Sequence, residues 1–206
     1  MDIQLYAIHV VPFILIVYFA CVLFMHPLRE VILASLAGGL VMAILNALGD
    51  LLAYYASWWH YAASGLVLHL PLPFYLTPLF IFGGLAYLLI WRFSEGQQQK
   101  QEGKSNRTIR SKGWHPQGTP LHFISIPALV LLIGVPLLGF ARDIFNAEIT
   151  HSSFLMWDSV LAGPIDFALW LLMFYAGYVV FRRILAPSRN TQPAQEEEEE
   201  NAEVKL

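Results

Sequence analysis

Three aspartates stand in surroundings where an acid is costly. Asn46 and Asp50 are four residues apart near the end of an apolar run, so they share one face of a helix. Asp143 lies at a matching distance from the start of a later run, and Asp166 follows Gly163-Pro164-Ile165 at the start of another. Ionisable residues within a membrane span are expensive and mark functional sites. A carboxyl held in a low-dielectric site can transfer a proton, so the chemistry open to Asp50, Asp143 and Asp166 is general acid–base catalysis. Trp58, Trp59 and Trp157 lie in the connections beside them. Their faces could stabilise cationic intermediates, which makes them, with Asn46, the candidate substrate-binding residues. The same tryptophans equally suit a membrane–water interface, where Trp and Tyr are common.

The helix dipole sorts the acids. Asp50 and Asp143 fall toward the C-terminal ends of their runs, where the dipole disfavours a carboxylate. Asp166 is expected in a first helical turn, where free N–H groups and the positive end of the dipole account for it by capping. His60, His69 and His151 share the connections, but they lack the spacing of a metal site, and none is assigned. No phosphate-binding loop, dinucleotide fingerprint or nucleophile elbow occurs, so no cofactor is assigned.

The elements that must carry these residues follow from composition. The chain is 57% apolar and 13% charged, against about 25% charged in soluble domains. From Met1 to Trp91 the only Lys, Arg, Asp or Glu residues are Asp2, Arg29, Glu30 and Asp50. A lipid bilayer is the solvent that fits. The net charge of −3 is set by the run Glu196 to Glu200, and nothing in it points to a nucleic-acid partner. Cys21 is the only cysteine, which excludes a disulfide within the chain.

A spanning helix needs about 20 apolar residues. Five runs qualify: Leu5 to Met25, Val31 to Ala56, Pro73 to Trp91, Pro120 to Ala141 and Pro164 to Phe181. The fold class is therefore all-α, a polytopic helical membrane protein with five transmembrane helices. Residues 1–92 hold helices 1–3, 93–119 a cytoplasmic polar linker, 120–186 helices 4–5, and 187–206 a disordered acidic tail. Gly38-Gly39 is a close-packing point, and Pro127 and Pro136 are expected kinks. With the N-terminus outside and the C-terminus in the cytoplasm, every Lys and Arg except Arg142 lies inside, as basic residues prefer. The expected location is the plasma (inner) membrane.

The chain also reads as a parallel duplication. Asp50 matches Asp143, Pro73 matches Pro164, Ala86-Tyr87 matches Gly177-Tyr178, and Arg92 matches Arg183, once two residues are dropped from the second connection. Helices 2 and 3 would then form one unit and helices 4 and 5 its copy, with helix 1 added.

Gly163-Pro164-Ile165-Asp166-Phe167, with Asp143 and the Trp157 connection ahead of it, resembles the small membrane-embedded lycopene cyclases built from paired short helical subunits. That family carries an acid two residues after a proline at the start of a span. It typically has Glu where Asp166 stands. The first unit departs from the pattern, since Pro73 is followed by Phe74 and Tyr75. The resemblance implies proton-initiated cyclisation of an apolar isoprenoid-type lipid. The competing expectation is a non-catalytic scaffold or a small transporter subunit. Five helices are few for a complete transporter, so that reading implies a homo- or hetero-oligomer. Convergence of the three aspartates on an apolar cavity would favour the enzyme.

Overall fold

Helix α1 (Ile3–Met25) is apolar all round. Its buried residues Ile3, Tyr6, Ile14 and Tyr18 form one stripe, which rests on the third helical segment. The rest faces outward, with Leu23 and Phe24 71% and 88% exposed. A helix without a polar face needs lipid around it. The computed structural model describes residues 3–94, 125–149 and 154–203, with side chains at 148–149 and 187–203 left aside.

After Pro27 the chain turns into α2 (Arg29–Tyr55). The buried stripe of α2 is built from small residues: Ala34, Ser35, Gly38, Gly39, Ala43 and Ala53. It lets two partners approach closely. A Cβ on Gly38 would stand 2.6 Å from the Gly177 carbonyl oxygen, and one on Gly39 would collide with that of Leu79. The expected close-packing point is therefore the crossing of α2 with both of its neighbours.

The third span, α3 (Leu72–Ser94), is irregular. It opens with a 3-10 turn, Leu72–Tyr75, and widens to a π-helical stretch, Pro78–Leu85, before turning α-helical over 86–94. Pro78 has no N–H to give the regular ladder, and π-helical widening frequently accompanies functional sites. Helix α4 (Ile126–Ile144) starts at Ser125, whose side chain accepts the Ala128 N–H, and continues as a π-helical turn, Phe145–Ile149. Pro127 is thus a helix starter and not a kink, because the first turn has no need of its N–H. Pro136 lies inside the helix, as expected. Helix α5 (Ala162–Glu203) passes through the bundle and keeps going. The tail expected to be disordered from 187 is helical to Glu203, as its Ala, Gln and Glu content favours. The linker expected over 93–119 lies beyond Ser94 outside the described residues, as do His151 and 204–206.

Five helices are long and apolar enough to cross a membrane, and the chain is a multi-pass, all-α integral membrane protein. Its core is an aromatic and methionine cluster of Met42, Tyr87, Trp170, Met173, Phe174 and Phe181. Two short strands cap one end of the bundle. Strand β1 (Trp59–Tyr61) pairs antiparallel with β2 (Leu155–Trp157), in the register Trp59↔Trp157, His60↔Met156 and Tyr61↔Leu155. The ribbon is clasped from Asp158 N–H to the Trp58 carbonyl and from His60 Nδ1 to Asp158 Oδ2, 2.6 Å.

Helix α2 packs along both α5 and the π-helical stretch of α3, and α4 packs on α5.

Candidate functional site

The three aspartates are brought together. Asp50, Asp143 and Asp166 are 5%, 8% and 7% exposed. They lie within electrostatic reach of one another and of Arg142. Asp50 sits in the last turns of α2, directly under the ribbon. Its Oδ1 accepts the Trp59 indole N–H at 3.0 Å, and its Oδ2 accepts the phenols of Tyr61 at 3.0 Å and Tyr75 at 2.9 Å. The dipole offers this carboxylate nothing, so side chains from β1 and α3 supply its donors. Burial, followed by the Asp50 charge, pushes the Tyr61 phenol well above its usual range, so it stays a donor.

Asp143 was expected at a helix end, with Arg142 opening a connection. Both lie inside the helical segment instead, because the chain stays helical to Ile149. The Arg142 guanidinium donates Nε–H and Nη2–H to Asp143 Oδ1 at 2.9 and 2.8 Å, and the Trp170 indole donates to Oδ2 at 2.8 Å. The guanidinium also lies 5.6 Å from the Phe82 ring centroid and 5.4 Å from that of Trp170, over the corner that the two rings make with each other.

Asp166 corrects another expectation. Helix α5 starts at Ala162 and has no acid in its first turn, so Asp166 does not cap the helix. It is buried one turn before Trp170, and among the described residues its Oδ2 has no hydrogen-bond partner. Such an oxygen is uncommon in a folded protein.

A cavity of about 600 Å³ opens beside these groups. Its apolar wall includes Val10, Phe13 and Ile14 of α1 with Phe74 of α3 and Phe154 beside β2. Tyr6, Phe74 and Phe154 form a stack, with centroids 3.8 Å and then 4.5 Å apart. The polar wall includes Asn46, Arg142, Asp143 and the two phenols that hold Asp50. This volume suits one ligand of moderate size in a largely preformed site.

Of the candidate substrate-binding residues, only Asn46 reaches the cavity. Trp59 is spent on Asp50. Trp58 and Trp157 pack in the cluster around Ala53 and Phe154 beneath the ribbon. Tyr75 and Trp170 receive no role from the sequence alone. One signal could have found Tyr75: the repeat that pairs Pro73 with Pro164 pairs Tyr75 with Asp166. Among the described residues no group of three or more His, Cys, Asp or Glu could hold a metal ion. Compared with known proteins, the chain matches no family model, no curated protein and no solved structure.

Proposed function

We propose that the protein is a membrane-embedded enzyme that transforms an apolar, isoprenoid-type lipid by acid–base catalysis. The observation that carries this reading is a carboxylate, Asp143, in the wall of an otherwise largely apolar cavity between the spans, with two further carboxyls behind it. The reactive end of the chain enters the cavity, and the remainder lies in the surrounding lipid. A carboxyl donates its proton to a terminal double bond: the π pair forms the new C–H bond, the O–H bond breaks, and a carbocation is left. A neighbouring double bond closes on it, and a carboxylate takes up the proton that is lost, so no co-reactant is consumed. The open faces of Tyr6 and Phe154, at the two ends of the stack, stabilise the cation. Asp143 is the group in contact with substrate, and Asp166, with its unpaired oxygen, exchanges the proton behind it. Asp50 acts through Tyr61 and Tyr75 and is a positioning residue. The lycopene-cyclase likeness of the segment around Asp166 supports the same chemistry.

The N-terminus faces outward, so that the ribbon lies outside and Arg29, Arg92, Arg182 and Arg183 lie in the cytoplasm of a cell with this protein in its inner membrane. The rival is a non-catalytic component, favoured by the donors already spent on Asp50 and Asp143. Expression of the native chain and of Asp143→Asn, Asp166→Asn and Asp50→Asn, with mass spectrometry of the neutral lipids, separates the two. Loss of a product in the first two, with only a reduction in the third, supports the enzyme. Unchanged lipids in all three correctly folded variants overturn it.

A further inference from the structure

Asn46 is a cavity residue whose chemistry the proposed reaction leaves unused. It lies on α2 one turn before Asp50, in the cavity wall, and among the described residues its amide has no hydrogen-bond partner. An amide carries two donors and an acceptor, and leaving them unfilled within a membrane span is costly. Arg142 shares the wall. Asp143 takes two of its N–H groups, out of the five a guanidinium presents. The Phe82 and Trp170 rings lie against it, at 5.6 and 5.4 Å from centroid to guanidinium carbon.

We infer that Asn46 and Arg142 form a polar subsite that holds a neutral oxygen, a hydroxyl or carbonyl, at the end of the lipid; this rests on the lipid-binding reading of the cavity. The local charge chooses the ligand class. Asp143 already neutralises the Arg142 guanidinium, so a phosphate or carboxylate headgroup meets no unpaired positive charge there. An ammonium at the Asp143 carboxylate would lie against the Arg142 guanidinium, a like charge, and the oxygens of Asp50 lie behind Trp59, Tyr61 and Tyr75. A neutral oxygen fits both remaining groups: it accepts from the guanidinium and exchanges a hydrogen bond with the amide. Val10, Phe13 and Ile14 then face the hydrocarbon chain.

The test uses three probes with the same branched chain and different ends: phytol, the hydrocarbon phytene, and phytanate. Each competes with radiolabelled phytol for the full-length protein in lipid nanodiscs at neutral pH. Phytol is expected to bind about tenfold tighter than phytene, the worth of one well-placed hydrogen bond, and phytanate is expected to bind weakest. Asn46→Leu should bring phytol down to the level of phytene while phytene still binds. Equal binding of phytol and phytene to the native protein overturns the subsite but leaves the lipid cavity standing. A preference for phytanate overturns the charge argument and the subsite with it, and a phytol preference that survives Asn46→Leu removes Asn46 from it. Failure of all three probes to bind the native protein overturns the lipid-binding reading itself.

Discussion

The Tyr75 phenol donates to Asp50 Oδ2 at 2.9 Å and ties the first turn of α3 to the last turns of α2. In the second half of the chain the matching position is Asp166, which sits within reach of Asp143 and has an unpaired oxygen. One half therefore places a donor beside its buried acid, and the other places a second acid. That difference suits the first site to bracing and, in the proposed reaction, the second to proton exchange.

If the first site is a brace, its donors are worth stability. Tyr75→Phe should lower the unfolding free energy in detergent by about 1–3 kcal/mol, the worth of a hydrogen bond to a charged group. Asp50→Leu should cost more, because it leaves Trp59, Tyr61 and Tyr75 without their acceptor. Combining Tyr75→Phe with Asp50→Asn should cost less than the sum of the two single changes, since both remove the same contact. Chemical denaturation followed by tryptophan fluorescence checks all three.

Tyr61 brings a pH dependence whose sign is fixed. Its phenol is pushed above its ordinary value in the folded protein by burial and by Asp50. The folded state therefore holds its proton where the unfolded chain has begun to release one. Its contribution is fully present below about pH 10, the unfolded value for tyrosine, and is lost as pH rises beyond that. Alkaline unfolding of Tyr61→Phe should show a shallower fall of stability with pH than that of the native protein.

Gly38 should tolerate no side chain. Its missing Cβ is what lets α2 meet the Gly177 backbone of α5 and the Tyr87 ring of α3. Gly38→Leu should destabilise the bundle by about 1–3 kcal/mol or more through overpacking, and it should lower the yield of monodisperse protein on size-exclusion chromatography. Gly134 is the control: nothing stands within 4 Å of a Cβ there, so Gly134→Leu on the lipid-facing side should leave elution unchanged.

The loop after β1 carries removable strain. Leu68 and His69 have φ of 53° and 65°, and Val67 and Leu70 exchange both backbone hydrogen bonds around them. That is a two-residue hairpin of the kind that favours glycine or asparagine. His69 recovers part of the cost by stacking on Tyr54, with centroids 4.0 Å apart. Leu68, 77% exposed, has no such contact. Leu68→Gly should raise stability by about 1 kcal/mol, the left-handed penalty of one residue. A lower melting temperature for Leu68→Gly than for the native protein would show that Leu68 is held by the membrane surface instead.

Local pattern determined the larger part of the fold. Long apolar runs fix the number and approximate place of the spans, because a bilayer excludes unpaired backbone and leaves helices as the solution. The small residues Gly38-Gly39 announced a close crossing for the same local reason. The three acids were legible because each stands out against apolar neighbours, and Asn46 because it shares a helix face with Asp50. Helix ends were less legible: the chain stays helical past Asp143 and past 187, where turn residues alone suggested a stop. What the acids do was decided only by tertiary structure. Trp59, Tyr61, Tyr75 and Trp170 reach them from other elements, and no spacing within a helix encodes a donor that arrives from the next one. The ribbon of β1 and β2 and the cavity itself are likewise products of how the helices cross. Burial and partner choice are properties of the assembled bundle, whereas the cost of an acid in a membrane is already present in the residue.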